Sequence, residues 1–477
     1  LSGCRKTNAL GMENMRQWLM DVSLVDGWLP VVVFAVTLAL AVALLVGAIG
    51  GGRGIRNGRI RLVVSPLAVA AVSGAAGYAA TWLLSDVFVV FGVGLGPRVM
   101  AWVAVGFAAV GFAVSHIILR KGMMRAVAAL LSVSAVLAAA IGIDQSYGEY
   151  ATIGSLFGDD SYSQTDLTGL VKRKDLITVS QWRRQVADHA IRNIPSNGTV
   201  SKIDIPAVES HFKARKALVY LPPAALAEGR RKPALPVILM MSGQPGSPGR
   251  AFQAGGIQTM MDGYARNHEG LAPIVIAADQ LGDDSHNTLC VDSKVYGNAL
   301  TYLTRDVVDW VKNNLPAAQN AKDWAIAGFS QGATCSLQIG VNHPELFGTM
   351  IPTDSELGPT NGSRQEMIDR FFNGDAEAYE NQVPANAIRN HAPTHQTLVM
   401  GAGEEDATSV RNLRMIAPVA AKAGMHVTAV ESIGNAHDWH AVQDVLRYGL
   451  AVFGYDTGLS GTRPSLSDYP DLKRIAV

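Results

Sequence analysis

Residues 323–338 read DWAIAGFSQGATCSLQ. An apolar run, Trp324–Gly328, leads into Gly328-Phe329-Ser330-Gln331-Gly332, and a helical pattern follows. A strand that turns sharply into a helix needs residues without side chains at the bend. Gly328 and Gly332 meet that need and leave the Ser330 hydroxyl presented above the end of a sheet. Ser330 is thereby a candidate nucleophile, and the alternative is a purely structural strand-to-helix turn.

A serine hydroxyl is a weak nucleophile unless a base takes its proton and a carboxylate orients that base. The chain order expected for this arrangement is Ser, acid, His. Apolar, β-branched runs alternate with helical patterns on both sides of Ser330, which is the signature of an α/β domain. Strands are predicted at 217–221, 236–241, 273–278, 324–328, 349–352, 397–401 and 427–430, and helices at 301–314, 331–341, 410–423 and 440–452. After the strand at 397–401 the chain reads Gly401-Ala-Gly-Glu404-Glu405-Asp406, and after the strand at 427–430 it reads Gly434-Asn-Ala-His437-Asp-Trp-His440. Both turns follow the carboxyl ends of strands, where open α/β sheets hold their sites. His437 is the base candidate, with His440 as the alternative. Asp406 is the acid candidate, with Glu405, Glu404 and Asp354 (after the strand at 349–352) as alternatives. His437 and His440 stand at i, i+3, but no Cys or carboxylate set at metal-site spacing accompanies them, so no metal is expected.

An acyl transfer also needs donors for the developing oxyanion. The backbone N–H of Gln331, directly after the serine, is one candidate. The loop Ser242-Gly-Gln244-Pro-Gly-Ser247 after the strand at 236–241 offers Gln244 as the second, with a plain Gly/Pro turn as the alternative. Cys335 lies five residues past Ser330. It either pairs with Cys290 or both stay buried thiols, and spacing does not choose.

Upstream, the character of the chain changes. Four runs are free of Asp, Glu, Lys and Arg: Gly27–Gly52, Leu62–Ser85, Val99–Leu119 and Ala126–Ile143. A helix of about 20 apolar residues crosses a ~30 Å hydrocarbon core, so four transmembrane helices are expected. Small residues at Gly74, Gly77, Gly106 and Gly111 suit close packing in lipid. His116, four residues before Arg120, is expected at the membrane interface. The opening Leu1-Ser-Gly-Cys4 matches a lipobox without a hydrophobic region before it, and reads as accidental or as sequence upstream of a start at Met12 or Met15.

The 477 residues carry 40 basic and 40 acidic side chains, but the balance is uneven. Residues 1–143 hold eleven basic and four acidic ones, leaving 29 and 36 for the remainder, so a +7 segment precedes a −7 segment. The basic residues cluster in the loops with Arg53, Arg56, Arg59 and Arg61 and with Arg120, Lys121 and Arg125, while Asp144–Val171 has no Lys or Arg. Basic loops stay in the cytoplasm. The expected topology is therefore a multi-pass plasma-membrane protein whose carboxy-terminal part lies outside, although Arg5, Lys6 and Arg16 oppose it. The low charged fraction excludes a disordered chain, three Cys exclude a disulfide framework, and a zero net charge gives no support for nucleic-acid binding.

The expected organisation is an amino-terminal segment 1–26, a four-helix membrane domain 27–143, a linker 144–200, an α/β-hydrolase domain 201–455 with a mainly parallel sheet between helices, and a loosely attached tail 456–477. With these motifs in hand, the stretches SGQPGSP, NTLCVDS, YLTRDVVDW and GFSQGATC make residues 144–455 resemble the putative-esterase branch of the α/β hydrolases. That branch includes esterase D and the mycolyltransferases, and the membrane layout resembles actinobacterial membrane-anchored esterases. The resemblance implies a Ser-Asp/Glu-His triad at Ser330, Asp406 and His437, oxyanion donors at Gln244 and Gln331, and no cofactor. It leaves the acid unresolved among three successive carboxylates. The expected function is a membrane-anchored, extracytoplasmic serine esterase acting on envelope lipid esters. Its rivals are a mycolyl-type transferase to a sugar hydroxyl and a non-catalytic envelope-binding module. A transporter reading gains little from helices without buried acids or bases.

Overall fold

In lipid an apolar run can satisfy its backbone only within itself, so the four amino-terminal runs form helices. They are α1 (Trp28–Gly50), α2 (Arg56–Trp82), α3 (Gly96–Leu119) and α4 (Met123–Tyr147). The computed structural model describes residues 15–50, 56–90, 92–159, 162–191, 193–229, 231–391 and 395–477. Among these, four helices are long and apolar enough to cross a membrane, with spans of 22, 25, 24 and 25 residues. Leu1–Cys4, Met12 and the loop carrying Arg53 lie outside the described residues.

Small residues let these helices approach. A Cβ on Gly77 would sit 2.8 Å from the Phe107 ring, and one on Gly106 would sit 2.8 Å from Ala139. Gly111 faces Ser73, and Gly142 faces the Trp102 ring with no space for a side chain. His116 lies one turn before the end of α3, but it turns inward and is 1% exposed. Its Nδ1 lies 3.1 Å from the Phe112 carbonyl and its ring packs on Phe112.

The chain divides into the units Leu1–Asp159 and Asp160–Val477. The second is built on a nine-stranded sheet whose strands are β1 (Thr199–Ile203), β2 (Ala217–Leu221), β3 (Val237–Met241), β4 (Ile274–Ala277), β5 (Trp324–Phe329), β6 (Thr349–Thr353), β7 (Thr397–Gly403), β8 (His426–Ser432) and β9 (Leu472–Arg474). The order is β9-β8-β7-β6-β5-β3-β4-β2-β1. Strands β4, β3, β5, β6, β7 and β8 run parallel, while β9, β2 and β1 are antiparallel to their neighbours.

Alternation sends Ile326 and Ala325 to opposite faces, and both faces are covered, which is why the central strands read as unbroken apolar runs. On one face Leu239, Ile326 and Met350 pack with Val308 and Val311 of α8 (Val307–Asn314), Cys335, Leu337 and Ile339 of α9 (Gln331–Asn342), Ala387 and Ile388 of α10 (Pro384–Asn390) and Leu413 and Ile416 of α11 (Ala407–Lys422). On the other, Met240, Ala327 and Val399 pack with Phe252 of α6 (Pro248–Ala254), Met261 of α7 (Ile257–Arg266) and Val445 and Phe453 of α12 (Trp439–Asp456).

Two stretches differ from the sequence expectation. The stretch 144–200 is not one linker. Residues to Tyr147 extend α4, and Leu167, Ile177 and fully buried Trp182, on helix α5 (Val179–Ala187), belong to the core of the second unit. The tail is not loosely attached. Leu459 is fully buried, and Leu472–Arg474 forms the edge strand β9 on β8, with Lys473 3.2 Å from Glu431. Three residues are too few for a visible period, and the Gly, Ser and Pro around them read as loop, yet an open sheet edge rewards any chain that pairs with it.

Candidate active site

The turn at Ser330 is as tight as its glycines require. Ser330 takes φ 54° and ψ −117°, a conformation that costs a non-glycine residue about 1–3 kcal/mol. A Cβ on Gly328 would collide with the carbonyl of Gly332. One on Gly332 would collide with the Ser242 carbonyl and lie 2.8 Å from that of Met241. The strain is held by hydrogen bonds on both sides, from Ser330 N–H to the Thr353 carbonyl (3.0 Å) and from Thr334 N–H to the Ser330 carbonyl (3.0 Å). Ser330 is thus the N-cap of α9, and the Gln331 N–H is at the helix's amino-terminal end, where backbone donors lack internal partners.

Beside it, the ring of Phe329 packs 4.9 Å from that of His437. His437 Nδ1 hydrogen-bonds to Asp406 Oδ2 at 2.8 Å. Asp406 is fully buried and caps α11, its Oδ1 accepting the N–H groups of Thr408 and Ser409, each at 3.1 Å. Burial alone would raise the Asp406 carboxyl. The hydrogen bond and charge of His437, with the Ser409 N–H, outweigh it and hold the group below its usual range. Burial likewise opposes a charge on His437, but the hydrogen bond and charge of Asp406 raise the imidazole above its ordinary value. Asp438, the N-cap of α12, accepts from Ala436 N–H (2.7 Å) and Ala441 N–H (3.0 Å) and so fixes the backbone on both sides of His437.

Three of the rival candidates fall outside this pair. Glu404 is exposed, accepting the Gly434 N–H at 3.0 Å and lying 3.9 Å from Lys473. Glu405 is half-buried, with its N–H on the Asn435 carbonyl at 2.8 Å. His440 lies one residue into α12, and Asp406 is bonded to His437. Asp354, unlike Glu404, Glu405 and His440, is buried beside the pair. A ligand atom from each of Asp354, Asp406 and His437 lies within 4.8 Å of the others, the spacing of a possible metal site. His437 Nδ1 and Asp406 Oδ2, however, are already joined to each other.

The loop after β3 closes the other side. A Cβ on Gly243 would lie 3.4 Å from Ser330 Cβ, so this loop passes directly over the serine. Gln244 sits on it, half-buried, its Nε2 3.5 Å from the Asp284 carbonyl. The Gln331 side chain accepts from Gln280 Nε2 (3.2 Å), and Gln280 also donates to the Ser242 carbonyl (2.7 Å), linking the loop to the start of α9. Cys290 and Cys335 are joined by a disulfide with Cα atoms 5.7 Å apart, which ties the segment after β4 to α9.

Other groups here gave no sequence signal. Arg215 donates to the Gly246 carbonyl (2.9 Å) and to both carboxylate oxygens of buried Asp279 (2.8 and 3.0 Å), clamping the same loop from behind. Glu356 is pushed up to about 6 by burial, against a Thr360 hydrogen bond and nearby His437. Neither belongs to a motif, since the partners of Arg215, and the His437 that Glu356 lies near, are far away in sequence.

A family model described as "Putative esterase" matches residues 210–444. An uncharacterized protein of Corynebacterium glutamicum is 31% identical over 334 residues, covering 69% of this chain and 75% of that protein. Among solved structures, an S-formylglutathione hydrolase from Agrobacterium tumefaciens is 16% identical, covers 56% of this chain and 98% of its own, and has a TM-score of 0.45. A ferulic acid esterase from Anaeromyces mucronatus is 16% identical, with 54% and 92% covered and a TM-score of 0.41.

Proposed function

The chain belongs, through its carboxy-terminal domain, to the putative-esterase family of ester-acting enzymes, and from that premise we propose that it is a membrane-anchored serine esterase using Ser330, His437 and Asp406. The observation that carries the reading is the 2.8 Å hydrogen bond between His437 and buried Asp406, set beside a serine held at φ 54°.

Ser330 Oγ attacks the carbonyl carbon of a carboxylic ester while His437 Nε2 takes its proton. Asp406 keeps the Nδ1–H in place and stabilises the imidazolium as it forms. The N–H groups of Gln331 and Gln244 receive the oxyanion. The C–O bond to the alcohol then breaks, and the alcohol departs with the proton returned by His437. Water, deprotonated by His437, attacks the acyl-enzyme, and the acid leaves as Ser330 regains its proton. A sugar hydroxyl in place of water turns the same second half into acyl transfer.

The substrate class follows from the anchor. With both basic loops in the cytoplasm the enzyme domain lies outside, and tethering raises its effective concentration at the outer membrane surface. Esters of envelope lipids are the substrates that this placement favours. The test is an ester profile of cells in which Ser330→Ala replaces the native chain. One acyl ester class should accumulate and return to its normal level when the native gene is restored. An unchanged ester profile would contradict the proposal.

A further inference from the structure

Asp354 is a buried carboxyl that the mechanism above does not use. It follows β6, is 1% exposed and holds a left-handed φ of 56°. Its Oδ1 accepts the Gly403 N–H at 2.9 Å, and its buried Oδ2 has no partner among the described residues. With Asp406 and His437 it forms the set whose ligand atoms lie within 4.8 Å of one another.

Two carboxylates this close do not both ionise in a buried site. The hydrogen bonds decide which carries the charge. Asp406 accepts from His437, Thr408 and Ser409, whereas Asp354 accepts from Gly403 alone among the described donors. Burial pushes the Asp354 carboxyl well up, and the nearby Asp406 and Asp438 add to the rise against the pull of His437. Asp406 is thus the better stabilised anion of the two, and Asp354 the carboxyl that takes up a proton first.

We propose that Asp354 is a second acid for His437, silent while the charge of Asp406 stands beside it and able to stabilise the imidazolium when an uncharged side chain replaces Asp406. The two acids come from the ends of neighbouring strands, β6 and β7, so either can face the same ring. This rests on the Ser330–His437–Asp406 reading. In an Asp406→Asn chain, Asp354 gives its proton to solvent, and its carboxylate then faces the ring that receives the Ser330 proton. The Asn side chain retains one carbonyl oxygen, enough for the α11 cap that Oδ1 of Asp406 makes, and leaves stabilisation of the ring to Asp354.

The test is a double-mutant cycle on the full chain in detergent micelles, with p-nitrophenyl butyrate as probe. Asp406→Asn should lower kcat by about 30-fold, well short of the roughly 10⁴-fold expected where no second acid stands by. Asp354→Asn should cost about threefold in the native background, but about 100-fold or more in the Asp406→Asn background. A purely structural Asp354 would cost the same factor in both. The inference is overturned if Asp406→Asn alone falls by about 10⁴-fold and the double variant falls no further. Thermal unfolding of each variant excludes loss of fold as the cause. The underlying reading fails separately, if Ser330→Ala hydrolyses the probe as fast as the native chain.

Discussion

Ser330→Ala lowers kcat for ester hydrolysis by about 10⁵-fold or more, with KM little changed. The hydroxyl forms its bond to the carbonyl carbon only on the way to the transition state, so its loss falls on kcat rather than on binding. The fold should be indifferent to the change. Alanine pays the same left-handed strain at φ 54°, and the bonds that hold the turn, to the Thr353 carbonyl and from Thr334 N–H, are backbone bonds. A steady-state assay with a p-nitrophenyl ester, paired with thermal unfolding, separates the two quantities. Activity within about tenfold of the native chain would remove Ser330 from the chemistry, because non-nucleophilic groups alone retain far less.

Gly332→Val acts on the scaffold instead. A side chain here drives into the Ser242 and Met241 carbonyls at the end of β3, and neither backbone can yield without opening the sheet. The expected cost is about 3 kcal/mol of stability, at the upper end of overpacking. Moving α9 away from β3 also separates the Gln331 N–H from the loop that carries Gln244. Misplacing an oxyanion donor costs about 10²–10³-fold in kcat. Gly461→Val serves as the control, since nothing lies within 4 Å of a Cβ there. If Gly332→Val unfolds at the native temperature and keeps its kcat, the glycine is not what sets the spacing between α9 and β3.

Much of this arrangement was legible because it is local. The strand, the glycines and the helix around Ser330 lie within 20 residues, and the parallel strands announce themselves as apolar runs covered on both faces. The choice among Glu404, Glu405 and Asp406 was not legible, because three adjacent carboxylates differ only in where the turn points them. In the fold Asp406 starts α11 and turns inward to His437, while Glu404 reaches the surface and the Gly434 N–H. Asp354, Arg215 and Glu356 were harder still. Their roles depend on partners brought together by β6, β7 and the loops after β3 and β4, and no spacing along the chain records that. The strand in the tail is hidden for a related reason, since β9 owes its existence to the edge of β8 rather than to its own three residues.

The central claim is that Ser330 is an activated nucleophile, and covalent labelling tests it most directly. A membrane-impermeant fluorophosphonate probe is applied to intact cells and to lysed membranes, and the modified peptide is identified by mass spectrometry. The account predicts labelling of Ser330 in both preparations and none in Ser330→Ala. Labelling only after lysis would overturn the outside placement alone. No labelling in either preparation, or labelling that persists in Ser330→Ala, would contradict the account.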